Sequence, residues 1–224
     1  MLLEKFGKLL KSINVMLKIH GSLTVRKSFI KIEDINMRKI ILFMMVSLDG
    51  YFEGPDHDLS WHNVDEEFND FAIAQLKEFD AILFGRRTYE LMESYWPTKS
   101  GVEDDPEVAQ LMNNTPKVVV SHSLKEVKET KIWKHVHLIN ENSEEQIKSL
   151  KNQKGSDIIL LGSSNLCVSL LEWGLLDEVR IMIAPVVIGK GTPLFDGIKD
   201  KYNFKLTKSR NFANGNVLLY YQVA

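Results

Sequence analysis

Two alternating patterns of apolar and polar residues run along the chain from Arg38 to the C-terminus. Short apolar runs rich in β-branched residues predict strands at 39–47, 80–85, 117–121, 135–139, 157–161, 178–184, 203–213 and 216–223. Between them, apolar residues spaced three or four positions apart predict helices at 65–78, 86–95, 105–113, 143–153 and 164–174. This alternation is typical of an α/β domain with a mostly parallel sheet.

The last two predicted strands are joined differently from the others. They flank Asn214 and Gly215, a pair that favours a two-residue turn between antiparallel strands. We therefore expect a mixed sheet, in which parallel strands are followed by an antiparallel hairpin at one edge. The stretch 97–106 contains two prolines and a glycine and is predicted to be a loop.

Residues 1–36 have a different character. Apolar residues recur there at helical spacing, and the segment holds seven basic against three acidic residues. This pattern predicts a basic amphipathic helix of the kind that binds a membrane surface or a partner protein. A secretory signal is disfavoured because Lys8 and Lys11 interrupt the apolar residues. The alternative is an extension, or an over-long start before Met37, that is not part of the domain spanning 37–224.

The composition restricts the class of protein. Apolar residues at 44% and charged residues at 26% are average values for a soluble globular chain, and 224 residues suffice for one large domain. The single Cys167 cannot form an internal disulfide, which favours the cytoplasm. A net charge of −2 disfavours nucleic acid as a partner. The sequence holds no apolar run long enough to span a membrane.

Small and polar residues follow three of the predicted strands, where ligands bind in open α/β sheets. They are Gly85, Arg86, Arg87 and Thr88 after the second strand, Ser121 and His122 after the third, and Gly162, Ser163, Ser164 and Asn165 after the fifth. Two of these groups open helices, whose free N–H groups bind anions such as phosphate. Each group alone is also explained by helix capping or a tight turn. Together they predict a ligand with several phosphates, such as a dinucleotide.

The first predicted helix begins with Asp65, Glu66 and Glu67. Acidic residues are common at helix N-termini, where they interact favourably with the helix dipole, and for two of the three this explanation suffices. Glu67 lies four residues before Phe71 and therefore shares its buried face. A carboxyl group on a buried face acquires a raised pKa, as proton donors do, so Glu67 is the predicted proton donor.

Two runs of residues are similar to a known family. The run Leu59–Phe71, with Trp61 six residues before Glu67, and the run Ala81–Tyr89 resemble the active-site helix and the cofactor-binding turn of dihydrofolate reductase. A closer resemblance is to the reductase domain of the bifunctional deaminase-reductase of riboflavin biosynthesis. It rests on Ser47–Gly50, Gly162–Leu166 and the block from Gly174 to Phe195, and it covers Met37–Ala224.

The resemblance implies a dihydrofolate-reductase-like fold, a three-layer α/β/α sandwich whose mixed, mostly parallel sheet ends in an antiparallel C-terminal hairpin. It implies an oxidoreductase that uses NADPH to transfer a hydride to a small heterocyclic substrate, pterin-like or similar to a 5-amino-6-ribosylamino-pyrimidine. The zinc deaminase half of the riboflavin enzyme is missing, because no H-x-E motif with a C-x-x-C partner occurs. The resemblance also implies a homodimer that pairs through sheet edges and the C-terminal strands.

Site residues follow from the same resemblance. Asp49 and Glu67 are expected at the catalytic centre, and the pyrophosphate is expected at Gly85–Thr88 and Gly162–Asn165. Ser121 and His122 are expected to face the 2′-phosphate of the adenosine. Substrate contacts are expected from Val46, Trp61, Gly189 and Gly191. Because Ser163 stands where dihydrofolate reductases have a second glycine, the sequence leaves open whether the preceding peptide bond is cis.

A function of another class remains open from the sequence. The chain is also compatible with a regulatory or sensor protein that keeps an NADPH pocket without turnover, since a fold does not determine a function. Oxidation of NADPH by heterocyclic compounds would indicate the enzyme, and tight NADPH binding without oxidation would indicate the sensor.

Overall fold

The computed structural model describes residues 37–224, so the expectations for residues 1–36 lie outside the described residues. The strands within this range are β1 (Ile40–Val46), β2 (Tyr51–Glu53), β3 (Phe79–Gly85), β4 (Lys117–Val120), β5 (Val136–Ile139), β6 (Asp157–Leu160), β7 (Glu178–Ile183), β8 (Thr192–Pro193), β9 (Phe204–Asn211) and β10 (Val217–Val223). The helices are α1 (Glu66–Leu76), α2 (Arg86–Tyr95), α3 (Lys99–Asp104), α4 (Pro106–Asn114), α5 (Ser143–Lys151) and α6 (Ser164–Glu172), with one 3-10 turn at Pro55–His57.

The main sheet has eight strands in the order β5-β4-β3-β6-β1-β7-β10-β9. The strands from β5 to β7 pair in parallel, whereas β10 pairs antiparallel with β7 and with β9. Alternate residues of β1 point to opposite faces: Ile40 and Leu42 pack in a core with α5 and α6, and Ile41 packs in a second core with α1, α2 and α4. The predicted three-layer fold with a C-terminal antiparallel hairpin is confirmed.

The structure adds elements that the sequence pattern did not predict. The predicted loop 97–106 contains the short helix α3, which forms because the Thr98 hydroxyl accepts a hydrogen bond from the Gly101 N–H at 3.2 Å. A Cβ at Gly101 would lie 2.4 Å from the Tyr95 carbonyl oxygen, so glycine permits the close approach of the chain. Strands β2 and β8 form a separate two-stranded ribbon.

The C-terminal hairpin ends the sheet. Leu218 is fully buried in the domain, while Leu206 on the edge strand β9 is 51% exposed. Phe204 and Tyr220 are half-buried against the domain cores. The pairing of two copies through this edge stays a prediction. No helix within residues 37–224 is both long and apolar enough to cross a membrane.

Candidate functional site

Two strand ends meet at the centre of the parallel sheet, because β3 and β6 are neighbours and both are followed by helices. The Gly85 N–H at the end of β3 donates to the Gly162 carbonyl after β6 at 2.9 Å. A Cβ at Gly85 would lie 2.4 Å from the Ser163 Oγ, so the two chain segments touch. The peptide bond between Gly162 and Ser163 is cis, and Gly162 has a φ of 115°.

The helices α2 and α6 start from these strand ends. Gly85 is the N-cap residue of α2, and Ser163 is the N-cap residue of α6. Within residues 37–224, neither helix start is capped by a side-chain hydrogen bond from its N-cap residue. The first N–H groups of each helix are therefore left for another acceptor. Side by side, two such helix starts attract an anion by their free donors and their dipoles.

A cavity of about 380 Å³ opens beside these helix starts, and we call it the strand-end cavity. Five of the residues predicted to bind the cofactor line it: Arg87, Thr88, Ser163, Ser164 and Asn165. Hydroxyl groups, an amide and a guanidinium on one wall suit a phosphate-containing ligand. Gly85 and Gly162 do not line the cavity, but they hold its two helix starts together.

Arg87 already has partners in this cavity. Its guanidinium lies 3.8 Å from the Glu53 carboxylate and contacts the His57 ring. Glu53 is buried, and its other oxygen accepts a hydrogen bond from the Thr192 hydroxyl at 2.8 Å. Arg86 lies outside the cavity, where it pairs with Glu90 at 3.3 Å on the surface.

Ser121 and His122 follow β4, the strand next to β3. The Ser121 Oγ accepts hydrogen bonds from the N–H groups of Ser123 and Leu124, so this hydroxyl stabilises its own turn. The exposed His122 donates from Nδ1 to the Asn140 carbonyl at 3.0 Å. Both residues lie beyond the strand-end cavity and do not line it.

A second cavity of about 350 Å³ adjoins the first, and we call it the apolar cavity. Its walls come from β1, α1, α2 and α4, and most of its lining is aliphatic or aromatic: Phe43, Met45, Val64, Phe68, Ala72, Leu76, Trp96, Val108 and Met112. The two cavities share four lining residues: Met44, His62, Met92 and Leu161. A ligand in one cavity therefore lies next to a ligand in the other.

His62 is a residue of this shared wall that the sequence pattern did not single out. Its ring packs edge-on against Trp61 with 4.5 Å between centroids, and its Nε2 is buried with no hydrogen-bond partner within residues 37–224. Burial lowers the pKa of His62 to about 4, and the nearby Asp58 opposes this shift. The imidazole is therefore neutral near pH 7.

The prediction that Glu67 has a raised pKa must be corrected. Glu67 does share the face of Phe71, but both residues pack against the C-terminal hairpin and neither lines a cavity. Its carboxylate accepts hydrogen bonds from the Ala213 N–H and the Arg210 guanidinium, each at 2.8 Å. These contacts lower the pKa of Glu67, so the predicted raised pKa is wrong.

Asp49 also lies outside both cavities. Its exposed carboxylate accepts hydrogen bonds from the N–H groups of Ile188 and Gly189, at 3.2 and 2.7 Å. Hydrogen bonding to Ser47 and to these two N–H groups lowers the pKa of Asp49. The carboxylate therefore joins the loop after β1 to the loop before β8.

None of the four residues expected to contact the substrate lines either cavity. Val46 is buried in the core, whereas its neighbours Met44 and Met45 line the apolar cavity. Trp61 donates from its indole N–H to the Asp58 carbonyl at 3.1 Å and supports His62. Gly189 bonds to Asp49, and a Cβ at Gly191 would lie 2.2 Å from the carbonyl oxygen of Glu53.

Comparison with known proteins gives relatives along nearly the whole described range. The protein YyaP of Bacillus subtilis (strain 168), which is uncharacterized, is 34% identical over 190 residues, covering 84% of this chain and 96% of YyaP. YwjB of the same organism, also uncharacterized, is 28% identical over 184 residues and covers 82% of this chain and 97% of its own.

Solved structures share the fold. A protein from Shewanella sp. PV-4 assigned to riboflavin biosynthesis matches with a TM-score of 0.64 at 25% identity, covering 83% of this chain and 99% of that one. Dihydrofolate reductase from Enterococcus faecalis, complexed with NADP(H), matches with a TM-score of 0.56 at 14% identity, covering 83% and 96%. The family model of the RibD C-terminal domain matches residues 38–218. The chain therefore belongs to the RibD C-terminal domain family and has a dihydrofolate-reductase-like fold.

Proposed function

We propose that the protein is a reductase that uses NADPH to reduce a small heterocyclic substrate. The observation that carries this proposal is the pair of adjoining cavities at the carboxyl ends of the parallel strands. One has two uncapped helix starts for phosphates, the other has an apolar lining for a ring, and they share Met44, His62, Met92 and Leu161. Family membership supports the same reaction class, since related structures include a 5-amino-6-(5-phosphoribosylamino)uracil reductase from Thermotoga maritima.

The residues present fit NADPH. The N–H groups that open α2 and α6 would hold the pyrophosphate, together with Arg87, Thr88, Ser164 and Asn165. Ser121 and His122, at the end of the adjacent strand, would lie toward the 2′-phosphate. When bound, NADPH supplies a hydride, while the protein orients the reacting groups and excludes water.

Reduction by hydride transfer also needs one proton. Asp49 and Glu67 hold their carboxylates in hydrogen bonds to backbone N–H groups, and both have lowered pKa values. We therefore assign them to the architecture of the site, and the proton to solvent. Glu67 as the proton donor is the alternative that its replacement by glutamine tests.

The protein would act in the cytoplasm as a homodimer. The chain holds a single cysteine, Cys167, and this low cysteine content supports a reducing compartment. The exposed edge strand β9 would supply the dimer contact.

A single-turnover assay tests the proposal. Protein in excess over NADPH is mixed with a panel of pterins, aminopyrimidines and other conjugated heterocycles, and the loss of NADPH absorbance is followed. If the protein is a reductase, at least one compound should cause NADPH to be oxidised faster than it is in the absence of the protein. Tight NADPH binding without oxidation by any compound would favour the alternative, a sensor protein of the same fold.

A further inference from the structure

A buried carboxylate lies in the strand-end cavity beside the residues proposed to bind phosphate. Within residues 37–224, two carboxylates line this cavity, those of Glu53 and Glu90. The Glu90 side chain is 46% exposed and pairs with Arg86 on the surface. The Glu53 side chain is only 10% exposed and lies 3.8 Å from the Arg87 guanidinium. Glu53 is therefore the buried acidic group next to any ligand that occupies this cavity.

The ribbon of β2 and β8 holds Glu53 in this place. Glu53 is the last residue of β2, and it pairs with Thr192 on β8, whose hydroxyl donates to the Glu53 Oε1 at 2.8 Å. A Cβ at Gly191 would lie 2.2 Å from the Glu53 carbonyl oxygen, so the two strands touch here. These contacts restrict the carboxylate to one part of the cavity wall.

Glu53 keeps acceptor capacity for a ligand. Thr192 donates to one carboxylate oxygen, and the His57 Nδ1 lies 3.1 Å from the other. The Arg87 guanidinium, at 3.8 Å, is beyond hydrogen-bond distance. A carboxylate can accept about four hydrogen bonds, so about half of this capacity is left. A buried charge is stabilised by each further hydrogen bond it accepts, and donor groups of a ligand would therefore bind well beside Glu53.

A carboxylate in this place does not help a phosphate to bind. Its charge repels an anion and offsets the charge of Arg87, which is proposed to hold the pyrophosphate. A hydroxyl group, in contrast, is a donor that a carboxylate binds strongly. In a dinucleotide the group joined directly to the pyrophosphate is a ribose, which carries two neighbouring hydroxyls. Acidic residues bind ribose hydroxyls in this way in Rossmann dinucleotide sites.

The arrangement of the two cavities indicates which ribose this is. NADPH has one ribose on each side of its pyrophosphate, one carrying the adenine and the other carrying the nicotinamide. The nicotinamide is expected at the wall that the strand-end cavity shares with the apolar cavity. The adenosine is expected toward Ser121 and His122, which do not line the strand-end cavity. A cofactor that extends from the helix starts to the shared wall therefore has its nicotinamide ribose in the cavity that Glu53 lines.

We propose that Glu53 binds the hydroxyl groups of the ribose that carries the nicotinamide. This assignment rests on the proposed function, because it names a further residue of that same NADPH site. Arg87 then binds phosphate and Glu53 binds the adjoining sugar, so the two oppositely charged side chains recognise neighbouring groups of one ligand. Thr192 is a positioning residue, which acts through Glu53.

An NADPH analogue that lacks these hydroxyl groups tests the contact. In this dideoxy analogue the nicotinamide ribose has neither its 2′- nor its 3′-hydroxyl, and the rest of the molecule is unchanged. Calorimetric titration of the full-length wild-type protein should show that the dideoxy analogue binds about tenfold more weakly than NADPH, because hydrogen bonds to a charged group are lost. Equal affinities of the two compounds would overturn the proposal, whatever the variants show.

Glu53→Gln tests whether the carboxylate makes this contact. Glutamine keeps the size of the side chain and an acceptor oxygen for Thr192. NADPH should bind more weakly to the variant, whereas the dideoxy analogue should bind at least as tightly as to the wild type. The ratio of the two affinities should therefore fall from about ten to about two or less. Equal changes for both compounds, in either direction, would show that Glu53 only offsets Arg87 or supports the fold, and would overturn the proposal.

Glu90→Gln is the matched control, because it removes the other carboxylate that lines the same cavity. It should leave the affinity ratio at the wild-type value, and an equal fall of the ratio in this variant would also overturn the proposal. The outcomes separate this assignment from the proposed function. If the wild type binds NADPH and the dideoxy analogue equally, the ribose assignment alone is wrong; if it binds neither compound, the proposed function is wrong as well.

Discussion

His62 and Glu67 lie five residues apart and have opposite surroundings. Glu67 is half-buried against the C-terminal hairpin, where a guanidinium and a backbone N–H stabilise its charged form. His62 lies on a wall of apolar side chains, where burial disfavours its charged form. The segment between them is held to the C-terminal hairpin by Asn63, whose side-chain amide donates to the Asn214 carbonyl at 2.8 Å. This contact and the Glu67 ion pair hold the segment that carries His62.

Replacing Glu67 distinguishes a residue that anchors the hairpin from a proton donor. Glu67→Gln should lower Tm at pH 7 by a few degrees and leave the single-turnover rate within about threefold, whereas loss of a general acid lowers rates about 10²–10⁴-fold. The folded-state pKa of Glu67 is lowered, so its contribution to stability is present above pH 4.5 and is lost as pH falls further. The Tm difference should therefore shrink in acid. Glu66→Gln, at an exposed position, serves as the control.

The pH dependence of stability tests the burial of His62. The unfolded chain binds a proton at this residue below pH 6.5, and the folded protein does so only near pH 4. The free energy of unfolding should fall between these values as pH is lowered, by on the order of 2–3 kcal/mol from this residue. Denaturant unfolding at several pH values measures the effect. His62→Phe should flatten the curve in this window, and an unchanged slope would mean that His62 is solvated.

At the scale of elements, the site depends on the close contact of two helix starts. α2 and α6 begin on neighbouring strands, and glycine at the end of β3 lets their first turns touch. Residues from the first turn of each helix then line the same cavity. A side chain at either glycine would separate the two sets of donors.

Gly85→Ala should therefore weaken NADPH binding. Its Cβ would lie 2.4 Å from the Ser163 Oγ and 3.1 Å from the Ser163 backbone nitrogen, so rotation of the serine side chain cannot relieve the whole contact. We expect a loss of affinity of about tenfold or more, measured by calorimetry. Gly174→Ala is the matched control. It strains a φ of 65° after α6 without touching the site, so it should lower Tm and leave NADPH affinity unchanged.

The elements were largely predictable from the sequence, because burial imposes a period on strands and helices. The ribbon of β2 and β8 could not be predicted, because strands of two or three residues are too short to show an alternation of apolar and polar residues. The helical spacing correctly put Glu67 on the face of Phe71. It could not show which part of the molecule covers that face, because Arg210 is distant in the sequence. His62 had no local signature, because its role depends on cavities formed by four other elements.

For the whole molecule, we predict that two copies assemble through the edge strand β9. Most of its residues are exposed, and Leu206 is an apolar side chain on its surface. Unpaired edges of this kind favour pairing with a second copy. Light scattering should give a dimer mass for the wild type, and Leu206→Lys should shift it toward the monomer. A monomer mass for the wild type at high micromolar concentration would contradict the prediction.

We propose that the carboxyl end of the sheet binds NADPH beside an apolar substrate cavity. Calorimetric titration of the full-length protein with NADPH and with NADH, at one ionic strength, tests this claim most directly. We expect a single NADPH site per chain with a Kd of micromolar order, and binding of NADH about tenfold weaker because NADH lacks the 2′-phosphate. Absence of NADPH binding would contradict a cofactor site at this end of the sheet, and equal affinities would refute the assignment of Ser121 and His122 to the 2′-phosphate.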